Sequence, residues 1–352
     1  MSIRAVVMML VALASGAEAQ AVRGQVWAAD GSSVAGLRVE VSGAAWVDSA
    51  VTDAAGRFAV ERPAEAGGDS VRVVVDAADP AARVFHPSVA AVARGEWDNE
   101  VRMVLVPLRW RIPRGSMAGT EVPVSLVRGF TPTCRGCASG FFRRAVADLS
   151  GAHSSTVPAW RPGSFPLRVA FDHEYTSERI SGRDSAAFWR DAGELEELVG
   201  MSLFRPARYV DTTPGDDSDP DDVVLVWVER GLRAAGLGSV TYSGGGDIGY
   251  GAVRLNNTIS FTRSEVPGLI AHELVHTLGV GHTCSWYSVM ADVTICPAQR
   301  SPLPTAEDIA YLQVHLAMGT LQRTHRARWG LDAALRGEQE MRVPDTKLAG
   351  GR

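Results

Sequence analysis

Residues 272–282 read His-Glu-Leu-Val-His-Thr-Leu-Gly-Val-Gly-His, and no other stretch constrains this chain as much. Two histidines four apart, His272 and His276, lie side by side on one helical face. Zinc takes nitrogen ligands in a tetrahedral shell and keeps one position open for water when it is catalytic. Glu273 stands at the edge of the same face, within reach of a proton on that water. Gly279 can adopt the left-handed conformation that ends a helix and turns the chain back. That turn brings His282 round as a third ligand. The competing reading is an ordinary amphipathic helix with satisfied histidines. It would have to explain every matched position at once, and the metal site is the better reading.

The string H-E-x-x-H-x-x-G-x-x-H resembles the metzincin clan of zinc endopeptidases, and Met290, in Ser288-Val289-Met290, sits where the clan's Met-turn is expected. The resemblance implies zinc on His272, His276 and His282, with Glu273 as general base and Met290 as a hydrophobic floor. It also implies a matrixin-like catalytic domain over residues 164–320, an α+β unit with a twisted mixed sheet, an active-site helix and a C-terminal helix. Ser239, Val240, Thr241 and Tyr242 would form the edge strand over the cleft, where an extended polypeptide substrate adds its own backbone. Residues 251–255 would lie behind it, and 293–297 would wall the specificity pocket. Asp292 stands where some metzincins place a tyrosine ligand, which leaves three protein ligands. The P-R-C-G-x-P-D cysteine switch of matrixins is missing.

Residues 1–19 read as a secretory signal, with Arg4 before an apolar run too short to span a bilayer and Ala17-Glu18-Ala19 as the cleavage site. The expected location is therefore secreted or periplasmic, and no later stretch suggests a transmembrane segment. Over 20–108 the pattern becomes short alternating runs at 22–27, 37–41, 57–60, 71–75 and 101–106, which predicts an antiparallel β-sandwich. Residues 35–39 and 52–58 make this accessory domain similar to the carboxypeptidase-regulatory-like, transthyretin-like module. A carbohydrate, a cell surface or a protein are the ligands open to it. Prolines break up 109–163, which reads as a linker or a small latency segment. Beyond it come a strand at 165–172, a helix at 183–200, and strands at 207–210 and 223–228. Thr262-x-x-Glu265 offers a capping box for the active-site helix, with Pro267 in its first turn. Residues 305–316 read as the C-terminal helix and 321–352 as a polar, Arg-rich extension. A boundary near Ser164 implies a catalytic unit that folds without the sandwich.

With 352 residues, a net charge of −5 and 21% charged residues, the chain has length for two or three domains. It carries neither a disorder signature nor the basic footprint of a nucleic-acid binder. The acidic run Asp217, Asp219, Asp221 and Asp222 could take calcium, yet Pro220 and Val228 break the EF-hand pattern and a solvated loop fits better. Gly244-Gly245-Gly246-Asp247 follows no phosphate-binding motif. His173 and His315 lack partners at ligand spacing and read as structural or exposed. Tyr287 fits either the pocket or plain packing. An exported chain usually oxidises its cysteines, and Cys134–Cys137 with Cys284–Cys296 is the favoured pairing because each is local. The alternative is a Cys134 or Cys137 thiolate bound to zinc. The expected function is a secreted zinc endopeptidase. Its rivals are a zinc amidase acting on cell-wall peptides and a surface-binding protein with a degenerate metal domain, against which the intact Glu273 counts.

Overall fold

The structure is a computed structural model describing residues 21–63, 70–75, 85, 88–93, 100–124, 157–171, 180–207, 222–242, 247–258, 268–282, 287–291, 300–325 and 328–329. The expected signal segment, all four cysteines, His173, Asp217, Asp219, Asp221, Asp292 and residues 293–297 lie outside them.

The N-terminal part supplies seven strands to two four-stranded sheets packed face to face, the eighth coming from the C-terminal end of the chain. Strands β1 (Ala21–Ala28), β2 (Arg38–Ser42), β3 (Val47–Val51), β4 (Arg57–Glu61), β5 (Ser70–Val75), β6 (Ser88–Ala93) and β7 (Val101–Leu105) come in chain order. Alternation places Val22, Val26, Val39, Val41, Phe58, Val60, Val71, Val73 and Met103 in one dry core, as a period of two requires. The second sheet, β3-β2-β5-β6, is antiparallel throughout. The first differs from expectation: β1 pairs antiparallel with β4 but parallel with β7. The chain reaches β7 only after an excursion through β5 and β6, and a long crossover of that kind is what a parallel pair needs.

Residues 109–124 are not a linker. They form a hairpin, β8 (Arg109–Arg111) with β9 (Glu121–Pro123), which packs on the second part of the molecule. That part is built on a six-stranded sheet. Its strands are β10 (Ala159–Trp160), β11 (Leu167–Phe171), β12 (Phe204–Pro206), β13 (Val223–Glu229), β14 (Gly236–Tyr242) and β15 (Asp247–Asn256). They lie in the order β10-β15-β13-β11-β12, with β14 also on β15. β13 reads Val-Val-Leu-Val-Trp-Val-Glu, a nearly continuous apolar run, and lies at the centre with both neighbours parallel. β14 alone runs antiparallel, and no strand covers its other edge among the described residues. β12 occupies 204–206, and of the strand expected at 207–210 residues 208–210 lie outside the described residues.

Helix α1 (Gly182–Val199) starts at Ser181, whose side chain accepts from the Asp184 N–H, and ends at Gly200 with φ 76°. It buries Phe188, Ala192, Leu195 and Val199 on one stripe. Helix α2 (Leu269–Thr277) carries the first two motif histidines. Helix α3 (Ala306–His325) continues well past the end expected at 316 and buries Ile309, Tyr311, Leu312, Val314 and Met318. No helix among the described residues is long and apolar enough to cross a membrane.

Trp110, Ile112, Val122 and Val124 of the hairpin belong to the same core as Leu167, Phe188 and Tyr311. Trp110 Nε1 donates to Gln313 Oε1 at 3.0 Å, and Gln313 Nε2 donates to the Val199 carbonyl at 3.0 Å, joining hairpin, α3 and α1. Gly115 (φ 86°) packs on the end of α1, where an added Cβ would meet the Leu198 carbonyl oxygen at 2.1 Å. The chain after α3 also returns to the sandwich. The His325 ring stacks on Trp27 at 4.6 Å, Arg102 holds the His325 carbonyl at 2.9 Å, and β16 (Arg328–Trp329) pairs parallel with β7.

The boundary expected at Ser164 therefore cuts through one core. A fragment of residues 164–325 loses Trp110, Ile112, Val122, Val124, Val157 and Trp160, all buried in that core. At roughly 1.5–3 kcal/mol for each large apolar side chain, the loss is about 10 kcal/mol, comparable to a whole domain's stability. The fragment is expected to be insoluble or to show no cooperative melt. A soluble fragment with a sharp thermal transition would contradict this.

Candidate metal centre

α2 begins later than the expected capping box: Gly268, with φ 70°, immediately precedes Leu269 and no side chain caps the start. Thr262, Glu265 and Pro267 lie outside the described residues. A Cβ on Gly268 would meet the Ser301 carbonyl oxygen at 2.5 Å and a Val289 methyl at 3.0 Å, so glycine lets three segments close up there. The helix ends at Leu278, and Gly279 takes φ 90° and donates to the His276 carbonyl at 2.9 Å. A Cβ on Gly279 would strike the Pro158 carbonyl oxygen at 2.7 Å, so conformation and space both require glycine.

This turn brings His282 against the helical pair. The Nε2 atoms of His272, His276 and His282 form a triangle with each side 3.1 Å. His272 Nδ1 lies 2.7 Å from the Val289 carbonyl and His276 Nδ1 2.7 Å from the Val280 carbonyl. A carbonyl can only accept, so in the neutral rings both Nδ1 atoms carry the proton and both Nε2 atoms present lone pairs. The contact between the Nε2 atoms of His272 and His276 is then two lone pairs converging on one point rather than a hydrogen bond, with His282 Nε2 completing the triangle. Nitrogens bound tetrahedrally at about 2.0–2.1 Å from one ion stand about 3.3–3.4 Å apart, close to the spacing found. The donor set is nitrogen only, with two of the three rings pinned from behind by backbone carbonyls, which suits zinc. The pKa of His272 lies well below the usual histidine value, first through burial, then through His276, Arg300 and His282, against the opposing Val289 carbonyl. It is therefore neutral and ligand-competent at pH 7.

Glu273 is buried, and its carboxylate accepts from the Gly238 N–H of β14. Burial raises its pKa to about 7, opposed by that N–H and by Arg300. The approach of strand to helix depends on two glycines. A Cβ on Gly236 would meet Glu273 Oε1 at 2.7 Å, and one on Gly238 would meet the Glu273 carbonyl oxygen at 2.5 Å and His276 Cβ at 2.6 Å. The residues of the edge strand nearest Glu273 are thus Gly236 and Gly238. Ser239, Val240, Thr241 and Tyr242 continue the same strand away from it, paired with β15, with Ser239, Thr241 and Tyr242 facing outward or half-exposed.

Met290 is fully buried beside Val289, whose carbonyl holds His272. The turn is gripped from α3 by Asp308: Ser288 Oγ and the Val289 N–H both donate to its carboxylate, and Ser288 Oγ accepts from the Met290 N–H at 3.0 Å. Thr305 closes a reciprocal cap, its N–H and Oγ1 each donating to Asp308 Oδ2 at 2.8 Å. Tyr287, at φ 63° and 45% exposed, is not packed into the interior. Asp222 has φ 61° and accepts from Ser164 Oγ at 2.6 Å, with no metal group around it among the described residues. The sequence reading missed Gly236, Gly238, Arg300 and Asp308. A glycine pair inside a strand and a Thr-x-x-Asp run opening a helix were the available signals.

His315 is buried beneath the Gly279 turn, facing the carbonyls of Pro158 and Leu278. Burial, with a smaller contribution from Arg323, lowers its pKa from 6.5 to about 4. Between those values the unfolded chain binds the proton and the folded chain does not, so stability rises with pH across the window and is lost as pH falls through it. The loss should approach about 3 kcal/mol near pH 4. Glu273, with its raised pKa, contributes with the opposite sign above pH 4.5, so the variant difference is the quantity to measure. Denaturant melts of parent and His315→Gln from pH 4 to 7 are expected to converge toward the acid end. Parallel profiles would contradict the assignment.

No family model, no curated protein and no solved structure matches this chain.

Proposed function

We propose that the chain is a zinc-dependent endopeptidase. The observation that carries this reading is the convergence of three Nε2 atoms at 3.1 Å, two of them fixed from behind by carbonyls, beside a buried glutamate. His272, His276 and His282 would hold the ion. Zinc, when bound there, supplies Lewis acidity that polarises a carbonyl and acidifies water.

The chain's own residues do the rest. Glu273, with its pKa raised to about 7, can hold a proton taken from water near neutral pH and release it to the departing amine. The Gly238 N–H fixes one carboxylate oxygen, which sets the direction of the other. The edge of β14 that no described strand covers offers backbone groups to an extended peptide, and the residues from Ser239 to Tyr242 continue that rail away from the base. Met290 closes the floor with apolar volume.

The test is metal stoichiometry together with hydrolysis. The full chain is expected to bind one zinc per molecule, to cut peptides from an unbiased library at internal bonds, and to lose and regain that activity as zinc is chelated and restored. Release of cell-wall fragments without cleavage of any library peptide would favour the amidase alternative. Zinc binding with no turnover on either substrate would favour a binding protein.

A further inference from the structure

The last four carbonyls of a helix have no partner within it, and at the end of α2 their partners decide how firmly the turn toward His282 is held. Thr277 Oγ1 donates to the Leu274 carbonyl at 2.7 Å. The Leu278 and Val280 N–H groups donate to the Val275 carbonyl at 3.1 and 3.4 Å, and that of Gly279 to the His276 carbonyl at 2.9 Å. These three carbonyls are satisfied from within residues 274–280. The fourth, that of Thr277, accepts from Trp160 Nε1 at 2.7 Å, across 117 positions of sequence. Trp160 is buried, and an indole nitrogen can only donate.

The donor is itself held in place. Trp160 pairs with Ile248 of β15, and a Cβ on Gly251 of that strand would meet Thr277 Cβ at 3.3 Å and Trp160 Cζ2 at 3.4 Å. The ring therefore fills the corner between β15 and the end of α2. From the other side α3 fastens the same segment. Gln322 Oε1 accepts from the Val157 N–H at 2.9 Å, and Arg323 donates to the Ala159 carbonyl at 3.1 Å. Between these bonds the Pro158 carbonyl oxygen closes on Gly279, 2.7 Å from where a Cβ would stand.

His272 and His276 are aimed by the helix that carries them and by two backbone carbonyls. His282 instead rides on a non-helical stretch that begins at Leu278, so its aim is inherited from whatever fixes that stretch. Resting on the zinc endopeptidase reading, we propose that Trp160 is a positioning residue for the third zinc ligand, anchoring the turn to the sheet through the Thr277 carbonyl. It acts through the backbone of the turn, so that His282 is already in place when the ion arrives.

The test compares Trp160→Phe with Trp110→Phe in the full chain. Trp110 is a matched control: it is buried in the same core and its Nε1 also donates a hydrogen bond, but to Gln313 of α3. Phenylalanine at either position keeps an aromatic ring and removes the donor. Zinc affinity is read by competition with a chelator of known affinity, beside a denaturant melt. Trp160→Phe is expected to bind zinc about 10–100-fold more weakly, the usual effect of losing an outer partner of a metal site, while Trp110→Phe binds as the parent does. Cobalt(II) loaded in place of zinc reports ligand number and geometry through its visible absorption, which should change in Trp160→Phe alone.

Coupling between the bond and the metal is reciprocal, so zinc should also strengthen the bond in the unmodified chain. Exchange of the indole N–H protons, followed by NMR, is expected to slow on adding zinc by a larger factor at Trp160 than at Trp110. This measurement needs no variant, so a Trp160→Phe chain that fails to fold does not remove the test. Equal zinc affinity in the two variants overturns the proposal, as does a cobalt spectrum unchanged in Trp160→Phe or equal slowing at the two indoles. Any of these would mark Trp160 as support for the fold alone. A parent that binds zinc yet gives those results sinks only this proposal, while one that binds no zinc sinks the functional reading as well.

Discussion

Replacing Glu273 by glutamine is expected to leave zinc bound at parental stoichiometry and to lower peptide turnover by about 10²–10⁴-fold, the range in which a positioned general base contributes. The substitution removes the proton acceptor and touches none of the three imidazoles. The amide side chain keeps the volume of the carboxylate and an oxygen that accepts from the Gly238 N–H, so the approach of β14 to α2 survives. Glu273→Gln also removes a buried carboxyl whose ionisation burial opposes, so the variant should melt no lower than the parent near pH 8. Activity, metal content and melting temperature measured on one preparation separate these effects. Turnover near the parental rate would remove Glu273 from the mechanism. Loss of zinc would mean that Glu273 acts on the ligands.

What is legible in the sequence is what depends on near neighbours. The helical pair, the glycine that turns the chain and the third histidine all fall within the stretch 272–282, and local conformation alone brings them together. The apolar run of β13 marks a central strand because both of its faces are covered. Long-range contacts leave no comparable mark. Gly238 meets Glu273 across 35 positions, and nothing in Gly-Leu-Gly states which helix the strand will approach. The hairpin at 109–124 reads as a linker because Pro113 and Pro123 suggest broken structure. Yet Pro113 lies in the turn and Pro123 ends a strand of a two-stranded ribbon, where a missing N–H costs little. The Nδ1 partners of His272 and His276 are backbone carbonyls, which carry no side-chain signature at all.

Asp308 carries the second large effect, and it lies outside the histidine motif. It is buried, and burial raises its pKa against the hydrogen bonds from Ser288, Thr305 and Val289 that favour its charged form. Its two oxygens gather the Ser288 hydroxyl, the Val289 N–H and the N–H and hydroxyl of Thr305. Asp308→Ala leaves several buried donors without an acceptor, at about 1–3 kcal/mol each, so a destabilisation of about 3–5 kcal/mol is expected. The same turn presents the Val289 carbonyl to His272, and loosening it frees the ring that must aim its Nε2 at the metal. Outer partners of that kind typically contribute about 10–100-fold to metal affinity, and the alanine variant should weaken zinc binding by that factor. Asp308→Asn separates position from charge. Its amide oxygen can take the place of Oδ2 and accept from Val289 and Thr305, while its NH₂ donates to a Ser288 hydroxyl that still accepts from the Met290 N–H. Asparagine should therefore recover most of the zinc affinity that alanine loses. Competition with a chelator of known affinity, run on both variants beside a denaturant melt, gives the two quantities. If Asp308→Ala held zinc as tightly as the parent while melting lower, the aspartate would support the fold and not the metal. If asparagine failed as badly as alanine, the full negative charge rather than the hydrogen-bond pattern would be what fixes the turn.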